Sequence, residues 1–487
     1  MFPFSIFLLA AAYLTLHNKL WNKTNKFAIS SNNLNIAHDH ILPDLIPVRG
    51  NCSKLNENHP VVSAIVGRWK EKSLPGARSD NIRIGLAIEG GGMRGCVAAG
   101  ATAALNFLGL NDCFDSVYGS SAGSMIGAYF ISRQFSGVSI YHDILPAAGS
   151  QFISKIMLLK SIGMLPRIYK KAHYFRDGSL KKLERCVIDI DLLLSGVMGH
   201  LLPLDWETFS ENEKKQPLRI ITSNLSNLKS RSLSRELGNY KNLQELLACI
   251  RSSMLVPGIC SGLMAVSHSI STPFLVPNSF FRRSESSLGL EKLDCLVDGF
   301  LCEPMPFRTA VQDGCTHVVQ LRTRPDPCLG LNKRPGIYER VIAKRFLESH
   351  RQQKGAQFIA TLQHQRQYAK DIMLLNSACE GQAEGVYVEF VGDVAGGARA
   401  HLLPLAPGED CVEIGQLENR RSHILRGMRD GARRVLSLFG PALGVIQTNQ
   451  ELEDTVTCIF PESILNRRIT LDFKYPLVLL EDGVLIK

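Results

Sequence analysis

Tyr118-Gly119-Ser120-Ser121-Ala122-Gly123 is the stretch on which the reading of this 487-residue chain turns. It reads Gly-x-Ser-x-Gly with Ser121 at its centre. An apolar segment, Cys113 to Tyr118, runs into it, and Ser124 to Ile131 leaves it with the composition of a buried helix. A strand, a sharp turn and a helix in that order hold the central serine in a strained backbone conformation with its hydroxyl raised above a sheet. Gly119 and Gly123 suit the turn because a side chain there would strike the neighbouring strand or helix. A bland serine-rich turn would account for the same residues, so the choice rests on two further stretches.

The first lies upstream. Arg83 to Glu89 is strand-like, Gly90-Gly91-Gly92-Met93-Arg94-Gly95 follows, and Cys96 to Leu108 is Ala-rich and helical. Gly90 to Gly95 satisfies Gly-x-Gly-x-x-Gly between a strand and a helix, the fingerprint of a dinucleotide site, and Asp112 and Asp115 fall near the distance of its ribose-binding acid. That acid should end the second strand, whereas both aspartates precede the segment leading to Ser121. The other reading is an oxyanion hole, in which consecutive backbone N–H groups at a helix N-terminus face a developing negative charge. A second strand-turn-helix bearing Gly-x-Ser-x-Gly some thirty residues on favours acyl transfer.

The second stretch is Cys295-Leu296-Val297-Asp298-Gly299-Phe300, an apolar strand that brings Asp298 to its end, with Gly299 turning the chain away. Catalytic groups collect at strand ends on the carboxyl edge of an α/β sheet, although Asp-Gly is also a common structural turn.

Hydrophobic residues make up 45% of the chain and charged residues 21%, enough apolar material for a large core. The net charge of +10 points to an anionic partner. With no zinc-finger spacing and no aromatic-studded basic sheet motif, an acidic membrane surface fits better than nucleic acid. Thirteen cysteines without a Cys-x-x-Cys pair suggest neither a disulfide scaffold nor a zinc set.

Residues 1–26 form a hydrophobic segment followed by lysines, readable as signal peptide, anchor or tether, so membrane association is expected and the secretory pathway stays open. Residues 27–80 read as a polar linker with one helix around Val61 to Lys72. Gln151 to Arg185 is basic and apolar together, either a solvated helical face or a segment docking on anionic headgroups. Leu218 to Ser223 and Thr316 to Leu321 read as strands, and Leu243 to Ile250 as a helix. Ile337 to Leu375 reads as one long charged helix, Val386 to Val391 as a strand, and Arg420 to Leu438 as a basic helix ending at Gly440-Pro441. The apolar run Tyr475 to Leu480 suggests no role.

Together the three motifs resemble the patatin-like phospholipase family. The family pattern is a Gly-Gly-Gly-x-Arg-Gly loop, a Gly-x-Ser-x-Gly turn and a later Asp-Gly-Gly or Asp-Gly-Ala. Gly90 to Gly95 and Gly119 to Gly123 match in order and spacing, and Asp298-Gly299 matches with Phe300 in place of the small third residue. The resemblance spans about 81 to 325, and His401 to Phe439 is similar to the tail of bacterial members. It implies a three-layer α/β/α fold with a mostly parallel central sheet, a helical extension of that domain over 326–445 and a tail over 446–487.

It further implies an acyl hydrolase of glycerolipids (phospholipid, lysophospholipid or triacylglycerol) that uses a Ser–Asp dyad without histidine, calcium or any other cofactor. Ser121 is then the nucleophile, Asp298 the general base, and Gly91, Gly92, Met93 and Arg94 the oxyanion hole. A glycerolipid is the expected substrate and a membrane or lipid-droplet surface the expected partner. Three alternatives stand beside it. One is a Ser…Asp…His triad using His317, His350, His364, His401 or His423. The others are an inactive lipid-binding protein whose Asp turn Phe300 has spoiled, and a nucleotide-binding oxidoreductase.

Overall fold

The computed structural model describes residues 58–162, 186–276 without 268, 293–325, 334–390 without 380, and 395–471. Short paired segments at 47–48, 328–329, 478–479 and 485–486 complete it. The hydrophobic segment at 1–26, most of the linker, the basic stretch 163–185 and most of the run Tyr475 to Leu480 lie outside the described residues. Among the described residues no helix is long and apolar enough to cross a membrane.

Helix α1, Pro60–Lys70, starts with His59 as its N-cap and Pro60 in its first turn. It buries Val61, Val62 and Ile65 in the main core. Its Arg68 binds Asp80, Asp115 and the carbonyls of Cys113 and Ile82. The core thus draws on residues ahead of Asn81, within the stretch read as a linker.

From there the chain alternates strands and helices: β1 Ile84–Ile88, α2 Cys96–Phe107, β2 Ser116–Ser120, α3 Ala122–Ile131 and β3 Leu218–Asn224. Next come β4 Lys229–Leu233, α4 Leu243–Met254, β5 Met264–Ser267, β6 Phe274–Leu275 and β7 Leu293–Asp298. They are followed by α5 Phe307–Gln312, β8 His317–Leu321, α6 Gln363–Ala378, β9 Val386–Glu389, β10 Gly397–Leu405 and α7 Arg421–Leu443. Among the described residues these ten strands make one sheet in the order β9-β10-β8-β1-β2-β3-β7-β5-β6, with β4 also paired to β3. The five central strands from β10 to β3 are parallel, and the margins are antiparallel.

Alternation along the strands sorts the core into two faces. Ile84, Leu86, Ile88 and Val117 join the cluster that includes α2, α3 and α7. Ala87 and Tyr118 point the other way, onto Phe307 and Ala310 of α5 and Ile372 and Leu375 of α6. Helices cover both faces, which gives the expected three layers. Every residue of β1 and β2 is buried because both faces of the sheet are covered, and β1 is apolar throughout. Helix α7 lies tightly on α2: a Cβ on Gly100 would stand 2.7 Å from Met428 Cα, so glycine sets the spacing.

Two expectations about helices differ from the structure. The span read as a single helix from Ile337 to Leu375 is broken at Arg351 and Leu362, whose φ values are +58° and +60°. The breaks let the chain fold back, so that Leu347, Ala356 and Ile359 cover the antiparallel margin while Ile372 and Leu375 reach the parallel centre. Helix α7 does not stop at Gly440-Pro441. Pro441 sits inside its last turn and the end comes at Gly444, whose φ of +74° closes it.

Candidate active site

The register of three strands makes the site. Along one edge of β3, strand β2 pairs up to Ser120 opposite Ile221, and β7 pairs from Asp298 opposite Thr222. The opposite edge of β3 is taken by β4. Thus β2 and β7 lie in line, running towards each other, and their ends meet. The serine that follows β2 and the aspartate that ends β7 are brought face to face at the carboxyl edge of the parallel strands. The strand carrying Asp298 is antiparallel to that set and descends from beyond its edge.

At the meeting point Ser121 has φ +53° and ψ −125°, a conformation rare for a residue with a side chain. Crowding explains the glycines around it. An added Cβ would stand 2.5 Å from Gly123 O at Gly119, 2.6 Å from Ser121 Cβ at Gly90, and 2.7 Å from Ile221 O at Gly299. At Gly123 it would collide with Ile88 O, and at Gly95 with the Tyr141 hydroxyl.

Ser121 Oγ donates to Asp298 Oδ2 at 2.7 Å, and Phe300 N–H donates to Asp298 Oδ1 at 2.9 Å. Asp298 is only 1% exposed. Burial pushes its pKa up to about 7, against the two hydrogen bonds, which pull it down. Phe300 leaves the turn intact: its N–H still serves Asp298, while its ring lies against Tyr338 and edge-on to His364, at centroid distances of 6.3 and 5.9 Å.

Of the four residues expected to supply oxyanion donors, two have their N–H groups engaged. Met93 N–H donates to Gln416 O and Arg94 N–H to Gly91 O. Gly91 and Gly92, with φ +152° and +59°, have no partner for theirs among the described residues. The loop is held from behind. Thr323 Oγ1 donates to Gly90 O, Thr323 N–H donates to Glu89 Oε2, and the Tyr368 hydroxyl donates to Glu89 Oε1. Arg94 is buried with Nη1 on Glu413, and its side chain lies along the loop, with Nε 3.2 Å from the position of a Cβ on Gly91.

Among the described residues no histidine hydrogen-bonds to Ser121 or Asp298. His317 begins β8 opposite His401, at the amino edge of the parallel strands, and the two rings lie 4.8 Å apart, tilted by 37°. His350 packs on Phe346, His423 on Glu418, and His364 on Phe300. Asp112 and Asp115 also belong to the amino edge, where Arg133 holds the first and Arg68 and Arg78 hold the second. Neither aspartate can reach a ribose bound at the glycine loop, which follows the carboxyl end of β1.

One participant escaped sequence reading. Ser253, in the last turn of α4, accepts from Ser121 N–H at 2.8 Å and donates to Ile221 O at 2.5 Å. It ties the strained turn to β3. Its only signal in the sequence is a Ser252-Ser253 pair in an otherwise apolar helix end. Ser253→Ala leaves a buried N–H and a buried carbonyl short of a partner, and we expect a loss of about 1–3 kcal/mol in denaturant unfolding.

Residues 86–311 match the family model of the patatin-like phospholipases. Residues 86–311 form a patatin-like phospholipase domain. The match brackets the glycine loop, Ser121, Ser253 and Asp298. It identifies an esterase- or lipase-type hydrolase domain that acts on lipid acyl groups, and it does not distinguish a bacterial-type branch. A search of curated proteins gave no match to the chain.

Proposed function

We propose that this patatin-like domain hydrolyses carboxylic esters of glycerolipids through a Ser121–Asp298 dyad. The observation that carries the reading is the 2.7 Å hydrogen bond from a strained, buried serine to a carboxyl whose pKa lies near neutrality. A base poised near the working pH is the most effective proton acceptor. Ser121 Oγ attacks the ester carbonyl and its proton passes to Asp298. The oxyanion faces the N–H groups of Gly91 and Gly92 at the start of the α2 segment, where fixed dipoles stabilise it without reorganisation. Collapse expels the alcohol, which takes the proton from Asp298. Water, deprotonated by the same carboxylate, adds to the acyl carbon, the acyl–Oγ bond breaks to release the fatty acid, and the proton on Asp298 returns to Ser121 Oγ. An alcohol in place of water makes the domain a transacylase.

Docking on an anionic lipid surface is part of the same reading. The helix Lys155–Ser161 presents Ile156 62% exposed beside Lys155, with Lys160 one turn on, the pairing of apolar and cationic groups that interfacial helices use. The test is fatty-acid release from phospholipid vesicles, with and without an anionic phospholipid, beside a triacylglycerol emulsion. Release from vesicles that rises with anionic content is the expected result. Release from the emulsion alone would move the substrate to neutral lipid, and release from none would count against the hydrolase reading.

A further inference from the structure

Two buried hydroxyls near the dyad have no hydrogen-bond partner among the described residues, Ser120 Oγ, wedged against Gly299, and that of Tyr338, and the second is the one with a ring and a segment of its own to position it. Tyr338 opens the wide-turned helical segment Tyr338–Ala343, and such turns recur at functional sites. The segment is seated on the Gly258 turn, where an added Cβ would stand 2.8 Å from Ile342 Cγ2 and 2.9 Å from Ile342 O. The Tyr338 ring rests against Phe300, two residues beyond Asp298. Its hydroxyl is buried and has no hydrogen-bond partner among the described residues. A buried donor with no partner is rare in a native fold, and a bound ligand is one way of completing it. Burial, reinforced by the nearby Asp298 and Cys260, keeps the phenol protonated and therefore a donor.

Direction narrows what that donor serves. The glycine loop bears on Ser121 from one side, with Gly90 against its Cβ, and Asp298 approaches from the end of β7. In a tetrahedral intermediate on Ser121, the oxyanion turns to the loop. The leaving oxygen turns to Asp298, because it must collect the proton held there. Tyr338 is linked to Asp298 through Phe300, whose ring it rests against and whose N–H holds the carboxyl.

We propose that the Tyr338 hydroxyl donates a hydrogen bond to the leaving alcohol oxygen of the ester. This rests on the dyad reading. In the step, the bond between acyl carbon and leaving oxygen breaks, its electron pair goes to that oxygen, and the proton taken from Ser121 passes to it from Asp298. The phenol proton stays on Tyr338 throughout. Its contribution is to stabilise charge on the oxygen before the proton arrives.

The experiment compares kcat/KM of wild type and Tyr338→Phe on two esters of one fatty acid, a p-nitrophenyl ester and a monoacylglycerol. Nitrophenolate departs unaided, whereas a glycerol alkoxide does not. We expect the variant to lose about 10- to 100-fold on the glyceryl ester, the scale of one hydrogen bond to a charged group, and to stay within about twofold on the nitrophenyl ester. Its melting temperature and fluorophosphonate labelling rate should match wild type. Equal losses on both esters, or none on the glyceryl ester, overturn the assignment while leaving the dyad in place. A folded wild type inert to both esters and to the probe overturns the dyad and this assignment together.

Discussion

Ser121→Ala is expected to abolish covalent labelling by a fluorophosphonate probe and to lower ester hydrolysis by about 10⁴-fold or more, the scale seen when a nucleophile is removed from an acyl-transfer site. The probe reacts only with a hydroxyl that has a proton acceptor in reach. In this chain Asp298 is the carboxyl placed to accept, and Phe300 N–H holds its other oxygen. Labelling should therefore depend on both residues, with Asp298→Asn slowing it by about 10³–10⁴-fold because an amide cannot take the proton. The substitution at Ser121 removes one oxygen and keeps the turn, so folding should be preserved and the comparison clean. A folded wild type that resists the probe would bring forward the reading of an inactive lipid-binding protein. The intact Phe300 turn weighs against that reading.

How much of this was legible in the sequence follows from the range of the forces involved. Gly90, Gly119, Gly123 and Gly299 announce themselves because each is required by a backbone atom packed at contact distance, and no other residue fits. Strand β1 and the apolar cores of β3 and β8 are evident as short runs because the sheet is buried on both faces, and β2 is marked by Val117 and Tyr118 leading into the turn. Ser253 was not legible. Its bond to Ser121 joins residues 132 apart, and nothing in α4 itself demands a hydroxyl at that position. The engagement of Met93 N–H by Gln416 is of the same kind, a contact across more than three hundred residues that narrows the donor set. The breaks at Arg351 and Leu362 were hidden because neither is glycine or proline. The burial of separate faces imposes them, and local propensity gives no sign. Resemblance to a family supplied Asp298 its place beside Ser121, since an Asp-Gly pair on its own is an ordinary turn.

Asp298→Asn should also reverse sign between activity and stability, and pH separates the two. With its pKa at about 7, Asp298 is ionised and able to act as base only above neutrality, so kcat/KM should climb as pH rises and reach half its plateau near pH 7. Stability runs the other way. A carboxyl whose folded pKa lies above its ordinary value holds its proton more tightly when folded. The stability this contributes is complete below about pH 4 and is lost as pH rises through about 7. The gap between 3.8 and about 7 sets an upper limit of about 4 kcal/mol on that loss. Asparagine carries no charge to bury. Its oxygen can accept from Phe300 N–H while its amide donates to Ser121 Oγ, so both contacts survive. The variant should therefore melt at a higher temperature than wild type at pH 8, and the difference should shrink towards zero as the pH is lowered through 5. A variant that melts lower than wild type at pH 8 would mean that the ionised carboxylate is better solvated or better paired than its 1% exposure implies. The same result would remove the physical basis for placing its pKa near neutrality. If the expected pattern holds, the fold sacrifices stability at neutral pH to keep a base beside Ser121, the trade made where an active site is strained for its chemistry.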